Sequence, residues 1–474
     1  MAQRYILTTD ESAVEKDESH GSDLLSGIHP IKVMAYKANT PVTTSTEASA
    51  NSLSNSAVEL HIGEREKVGQ GTFGKVYKAK LLTTQEIIAI KEVELEEKFK
   101  SRELEILKSM IHPNIVRLKY FFHTTSASKQ ILCLIMEYMP MSAHHLISEY
   151  RRNHKIMPLF YIKLFVYQML RGLGYLHTQG VAHRDVKPAN MIVDHEAGIL
   201  KICDLGSAKK LNRNEKSVSY VCTRYYRAPE LLLGHTEYTT AVDIWSAGCC
   251  MAEFLNGYPI FRGTDSSDQM YQIIKMIGIP TREELQEMNP RYTGSIDLTV
   301  VSYTPRTVRG YLPEHTQEAA LVLLDRLLKY KPSERMTCQR ALATDFFAEL
   351  KQRSLALPNN RPLPPLFNFH ENELSRHCYL YSTIVPDFVR TSPSDDKETK
   401  SESDRECLVE NESAQHEPSK VVRRALWKVV KGTWKAFKVG LKTTVASQPF
   451  SVALEPTAIA TTIVDYRVYK RNHQ

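Results

Sequence analysis

The chain has 474 residues, 42% of them hydrophobic and 24% charged, an ordinary composition for a globular protein with two to four units of core. Its net charge of +7 is local, because Lys420 to Lys442 alone holds eight Lys or Arg and no acid. The rest is near neutral, which argues against a broad nucleic-acid surface, and no 18-residue apolar run predicts a membrane span. Met1 to Asp10 lacks the basic-then-apolar pattern of a signal peptide, and Ala2 stands where N-myristoylation requires glycine. Residues 1–57 are rich in Ser, Thr and Ala, with little branched or aromatic content after Tyr36. They are expected to form a disordered leader, too poor in apolar surface to offset the entropy of ordering. The eight cysteines contain no C-x-x-C pair, which argues against a zinc module and fits free thiols in a reducing cytosol.

Alternation of apolar and polar residues begins near Glu64 and runs into Val68-Gly69-Gln70-Gly71-Thr72-Phe73-Gly74-Lys75-Val76. The three glycines allow close backbone approach to phosphates. The turn Gly69, Gln70, Gly71, Thr72, Phe73, Gly74 is therefore expected to cover them, with Val76 over a base. Alone, G-x-G-x-x-G is also a dinucleotide-binding turn, but that turn opens a helix. Here a strand follows, and then Ile88-Ala89-Ile90-Lys91, which places Ala89 and Lys91 at the same nucleotide. Twelve residues later Glu103 lies in a segment where Leu104, Leu107 and Ile111 recur at helical spacing. Glu103 is the expected partner of Lys91, since Glu105 would point about 200° away.

Ile131 to Met136 reads as a buried strand, with Met136 at the rear of the nucleotide pocket and Glu137, Tyr138 and Met139 as the hinge that offers backbone groups to adenine. Apolar residues at 162, 165, 166, 169, 170, 173 and 176 make a buried helical stripe that delivers the chain to His183-Arg184-Asp185-Val186-Lys187-Pro188-Ala189-Asn190. Asp204-Leu205-Gly206 comes fourteen residues after Asn190. Asp185 supplies a carboxylate to orient a hydroxyl, and Lys187 a cation for a transferring phosphoryl group. Asn190 and Asp204 supply oxygen ligands suited to Mg2+. Phosphoryl transfer needs positioning and charge neutralisation above all, and H-R-D-x-K-x-x-N followed by D-x-G is the catalytic and metal loop of protein kinases. Cys203, just before Asp204, reads either as an alkylatable thiol under the nucleotide or as an inert buried one.

A kinase domain over 58–370 follows, with a bilobal α+β fold: a small, mostly β N-lobe with one main helix and a large, mostly α C-lobe. ATP and Mg2+ are the cofactors it requires. A 27-residue activation segment runs from Asp204 to Glu230. Asp243 is expected to brace the catalytic loop and Arg335 to pair with Glu230. An active kinase and a kinase-shaped scaffold are the two function classes. The complete set Lys91, Glu103, Asp185, Lys187, Asn190 and Asp204 favours the enzyme.

Val218 to Glu230 resembles the activation loop of the glycogen synthase kinase-3 (shaggy) family, as do Gly206-Ser207-Ala208-Lys209, Pro280-Thr281-Arg282-Glu283, Glu287-Met288-Asn289-Pro290 and Leu366-Phe367-Asn368-Phe369. The likeness covers roughly residues 60–370 and implies transfer to Ser or Thr, often four residues before a phosphorylated residue. It also implies that Arg102, Arg184 and Lys209 bind that priming phosphate. The competing reading is an internal clamp, with a phosphate on Ser217 or Ser219 filling the pocket. The family further implies that phosphate on Tyr220 pairs with Arg224 and Arg227 to open the substrate groove. This chain departs from the family at Leu205, at Ala189, over Pro140 to His145, in the loop between Asn289 and Tyr311, and in lacking an Arg-rich N-terminal serine segment.

Residues 371–419 are expected to be an acidic flexible linker, with nine acids against three Lys or Arg from Asp395 to Glu417. In 420–442, Trp427, Val430, Trp434, Phe437 and Leu441 share one helical face, and lysines follow each by one position. This basic amphipathic helix suits an anionic membrane surface or a calmodulin-type partner; a tail packed on the kinase is the third reading. Residues 443–474 are expected to be a tail of low order. The partners otherwise expected are phosphorylated protein substrates, with a monomeric chain in the cytoplasm, also in the nucleus, or at a membrane periphery.

Overall fold

A computed structural model describes residues 31–38, 57–71, 74–95, 101–126, 129–212, 215–293 and 308–390. The chain divides into two units, Met1–Asp396 and Lys397–Gln474. The expected helix at 420–442 and the tail at 443–474 lie outside the described residues.

The first unit opens on a strand, Ile31–Lys37 (β1), which pairs antiparallel with Ala57–Ile62 (β2) and, through Tyr36 and Lys37, with Leu118–Ser126 (β6). This corrects the reading of 1–57 as a wholly disordered leader. Ile31, Val33 and Ala35 alternate toward the sheet, with Ala35 fully buried and Tyr36 stacked on Phe121. A lone short strand cannot bury its own face, but a sheet edge distant in sequence supplies the ladder and the apolar cover that composition does not reveal.

Glu66–Gly71 (β3), Gly74–Lys80 (β4), Ile87–Leu95 (β5) and Lys129–Glu137 (β7) complete an antiparallel sheet of order β2-β1-β6-β7-β5-β4-β3. The β3–β4 turn is the glycine stretch. Gly74 has φ 134°, and a Cβ there would meet the Glu92 carbonyl oxygen at 1.9 Å, so only glycine fits. Leu60, Ile62, Ile88, Ile90 and Ile135 fill one face of the sheet. Helix α1, Arg102–Ser109, buries Leu104 and Leu107 and is N-capped by Ser101, whose Oγ accepts the Leu104 N–H at 3.2 Å. It ends before Ile111, which keeps the helical spacing in sequence yet is 48% exposed.

The large lobe is helical. Ala143–Arg152 (α2) leads to Leu159–Thr178 (α3), in which every residue of the predicted stripe is at most 2% exposed. Pro229–Leu232 (α4) precedes Ala241–Asn256 (α5), buried from Val242 to Leu255. Glu230 on α4 and Arg335 form a buried bidentate pair at 2.7 Å, as expected. No helix among the described residues is long and apolar enough to cross a membrane. Cys133, Cys203, Cys222, Cys249, Cys250 and Cys338 are free thiols, as expected.

The compact unit does not stop near residue 370, which corrects the expected start of the flexible linker. Glu371–Arg390 forms short helical turns, with Glu373, Leu374, Ile384 and Val385 buried. The physical reason is Arg171 on α3, a 2% exposed guanidinium that needs an anion. Glu373 provides it at 2.9 and 3.0 Å and also accepts from His112 Nε2 at 3.0 Å. His112 Nδ1 accepts the Asn114 N–H, and burial lowers the His112 pKa, so the neutral ring links this segment to the loop after α1. Burial would raise Glu373, but the bonds from His112 and Arg171 outweigh it and take the carboxyl from 4.5 to about 2.

Glu373→Ala, which strands the Arg171 charge, is expected to cost about 3–5 kcal/mol at pH 7, measured as a lower denaturation midpoint. The folded pKa is depressed, so this stabilisation is complete above about pH 4.5 and is lost as pH falls toward 2. The gap between variant and wild type should therefore close in acid.

Candidate active site

The catalytic loop hangs from one buried carboxylate. Asp243, in the first turn of α5 and 1% exposed, accepts the His183 N–H and the Arg184 N–H at 2.8 Å and lies 2.9 Å from His177 Nε2. Burial would raise its pKa; His177 and these donors hold it below the usual carboxylate range. The grip fixes Arg184 at φ 64°, a left-handed conformation that a non-glycine residue keeps only when its surroundings impose it. The next residue, Asp185, is thereby directed toward Lys187, Asn190 and Thr223.

The Asp185 carboxylate is held on both oxygens. Oδ2 accepts from Lys187 Nζ at 2.8 Å and Asn190 Nδ2 at 3.0 Å, while Oδ1 accepts from the Thr223 N–H at 2.9 Å and Thr223 Oγ1 at 2.8 Å. Burial works against the charge, but Lys187 and Thr223 outweigh it and keep the pKa low, so the group is an anion at neutral pH. Lys187 Nζ also donates to Thr223 Oγ1 at 2.9 Å. Sequence reasoning missed Thr223. It stands beside Arg224 in the quoted segment, but no local spacing reveals a contact across 38 residues of chain.

Lys91 donates to both oxygens of Glu103 at 2.7 and 2.9 Å and to Asp204 Oδ1 at 2.7 Å. Burial favours the neutral amine, yet the two carboxylates raise its pKa above the ordinary lysine range. A cleft of about 540 Å³ opens in front of it, lined by Gly69, Gln70, Gly71, Gly74, Val76, Ala89, Lys91, Met136, Glu137, Tyr138 and Met139. Each was expected there; Thr72 and Phe73 lie outside the described residues. The side chain of Glu137 is not offered to a ligand, because Lys201 Nζ and the Arg117 N–H occupy it at 2.7–2.8 Å. Val116, Met141, Ser142, His145, Ala189 and Ile192 also line the cleft, and neither composition nor spacing pointed to them. Cys203 lies there too, and burial pushes its thiol up to about 12, which matches the inert reading.

The residues present fit a nucleotide with a divalent metal. Apolar walls meet a glycine turn and one cation, as a base joined to phosphates requires. Asn190 spends its amide nitrogen on Asp185, which leaves its oxygen as an acceptor, and both Asn190 and Asp204, the latter at φ 59°, line the cleft. Two protein oxygens make a hard-cation site when phosphates supply further ligands.

The activation segment gathers the remaining expected residues in part. The strand pair Lys209–Lys210 with Val181–Ala182 brings Lys209 beside the catalytic loop, where Arg184 Nε donates to the Ser207 carbonyl at 2.7 Å. Arg102 is exposed at the start of α1, and Glu215 is the ion-pair partner of Lys209. Tyr220 is 72% exposed with the Arg227 guanidinium 4.4 Å from its ring centroid. Arg224 instead turns to the Thr264 carbonyl oxygen, so only one of the two expected arginines meets Tyr220.

A fold of this kind with a lysine, a glutamate and a metal-loop aspartate joined over a glycine turn defines an ATP-binding phosphotransferase. A sequence model of the protein kinase domain matches residues 62–347, more than half of the chain, and the protein belongs to the protein kinase family.

Thr223→Ala removes a hydroxyl bonded to two charged groups, each such bond contributing about 1.5–3 kcal/mol. The expected result is a fall in kcat of roughly 10- to 100-fold with nucleotide KM unchanged, measured by steady-state kinetics; Thr223→Ser should keep most of the activity.

Proposed function

We propose that the chain is an ATP- and Mg2+-dependent serine/threonine protein kinase of the glycogen synthase kinase-3 type, with a preference for substrates already phosphorylated four residues C-terminal to the acceptor. The observation that carries the enzyme reading is the complete Lys91–Glu103–Asp204 linkage opposite an ionised Asp185. Glu103 positions Lys91 for the nucleotide phosphates, Asp185 orients the acceptor hydroxyl and takes its proton, and Lys187 neutralises the transferring group. Mg2+, held by Asn190 and Asp204, would supply charge neutralisation across the phosphates. Ser/Thr selectivity rests on Lys187 in the catalytic loop and on the family likeness.

Priming is supported by the family likeness at Arg102, Arg184 and Lys209, with Lys209 in the activation segment and Arg184 donating to its Ser207 carbonyl; an Arg fork binds two phosphate oxygens at once. A phosphate on Tyr220 would meet Arg227 and draw Arg224 from Thr264, opening the substrate groove. The segment 420–442 is assigned to an anionic membrane surface, on the sequence pattern of its lysines, tryptophans and Phe437. Protein substrates in the cytoplasm and nucleus are the partners this reading entails.

The test is phosphate transfer to matched peptides with Ser or phosphoserine four residues after the acceptor. The primed peptide should be preferred, and Arg102→Ala with Lys209→Ala should erase the preference. Lys91→Met and Asp204→Asn should abolish transfer in a folded protein, and Asp185→Asn should lower turnover by roughly 10²–10⁴-fold. Full activity in Asp204→Asn refutes the enzyme; equal turnover of the two peptides by wild type refutes priming.

A further inference from the structure

Lys209, one of the three cations assigned above to a substrate phosphate, already holds an anion. Its Nζ lies 2.6 Å from Glu215 Oε1 and 2.9 Å from Ser217 Oγ, and donates at 3.4 Å to the Lys216 carbonyl oxygen. The second Glu215 oxygen accepts from Asn212 Nδ2 at 2.7 Å, so the carboxylate is gripped at both ends by its own activation segment. Hydrogen bonds from Lys209 and Asn212, with the charges of Lys209 and Arg102, hold the Glu215 pKa below the usual range. Of the three assigned cations, Lys209 is therefore already paired with this carboxylate. Another, Arg184, directs Nε to the Ser207 carbonyl and Nη1 to Tyr238 Oη.

We infer that Glu215 is an internal anion that competes with the substrate's priming phosphate for Lys209, and so sets the margin by which primed substrates are preferred. The inference rests on the priming reading of the preceding subsection. A phosphate carries −1.5 to −2 charges and three acceptor oxygens, against one charge and two oxygens on Glu215, so it wins the exchange. Each primed substrate must nevertheless break the Glu215–Lys209 contact, whereas an unprimed substrate leaves it intact. Glu215 is 43% exposed and Lys209 18% exposed at the side chain, so the contact is a partly solvated ion pair with a modest effect. Ser217 Oγ stays beside Lys209 as a hydroxyl able to donate to the incoming phosphate.

Glu215→Gln preserves the shape and the Asn212 contact and removes the charge. The test uses the full chain, the two matched peptides, and inorganic phosphate as a competing anion at fixed ionic strength. In Glu215→Gln the KM for the primed peptide should fall about two- to fivefold, the scale of a partly exposed pair. The unprimed KM should stay the same, and inorganic phosphate should inhibit primed turnover at correspondingly lower concentration. Glu94→Gln, which neutralises an exposed acid on β5 paired with Lys129, should change none of these. An unmoved primed KM and phosphate inhibition in Glu215→Gln overturn the inference, as does an equal fall with both peptides or in Glu94→Gln. A wild type with no primed preference refutes the priming reading and the inference with it. A wild type that has the preference, beside an unresponsive Glu215→Gln, refutes the inference alone.

Discussion

A buried carboxylate with no solvent must be matched by donors, and in this molecule that constraint shapes the catalytic loop. Asp243 sits in the first turn of α5, and its two oxygens take the backbone N–H groups of His183 and Arg184. Matching them forces Arg184 into a left-handed conformation and fixes the direction in which Asp185 leaves the backbone. Uncompensated burial of such a charge would cost several kcal/mol, so the loop and the helix order together. Asp185 then acquires Lys187, Asn190 and Thr223 because its position is already decided.

The same logic joins the two lobes. Lys91 is on a strand of the sheet, Glu103 on the one main helix of the small lobe and Asp204 just after the antiparallel hairpin Met191–Asp194/Ile199–Ile202. One buried ammonium satisfies two carboxylates, and neither lobe alone could supply both. A second link runs through Glu373, which ion-pairs with Arg171 in the large lobe and hydrogen-bonds His112 in the loop after α1. His112 in turn receives Asn114, whose carbonyl oxygen accepts the N–H of Ile202, two residues before Asp204. The C-terminal segment beyond the family match is thus connected by hydrogen bonds to the strand Ile199–Ile202, which leads into Asp204.

The described activation segment is tied down by its own polar contacts: Thr223 on Asp185, Arg227 on the Val221 and Cys222 carbonyls, Glu215 on Lys209. Among its described cations, Lys209, Arg224 and Arg227 already have partners. Recognition of an anion from outside is then an exchange between partners, and selectivity becomes a difference between two charge-assisted contacts, not the strength of one.

Much of the site could be read in the sequence because the chemistry leaves residues at set distances along the chain. Asp185, Lys187 and Asn190 lie within one short loop, Gly69 to Gly74 within one turn, and the α3 stripe within one helix, so spacing alone brings them together. The pairs Lys91–Glu103, Asp243 with the loop, and Arg335–Glu230 were legible from motif context and stand at 2.7–2.9 Å. What spacing cannot carry is a partner distant in sequence. The strand at Ile31–Lys37 exists because β2 and β6 offer backbone hydrogen bonds, which its own composition does not advertise. The ordered segment around Glu373 exists because Arg171, some 200 residues earlier, is buried without another anion. Thr223 reaches Asp185, and Arg224 turns to Thr264, because the folded activation segment sets those distances. The sequence by itself determined the chemistry, since charges and glycines at short intervals act locally. Only the tertiary structure decided where the domain ends and which charges are already paired, because burial and pairing belong to the whole fold.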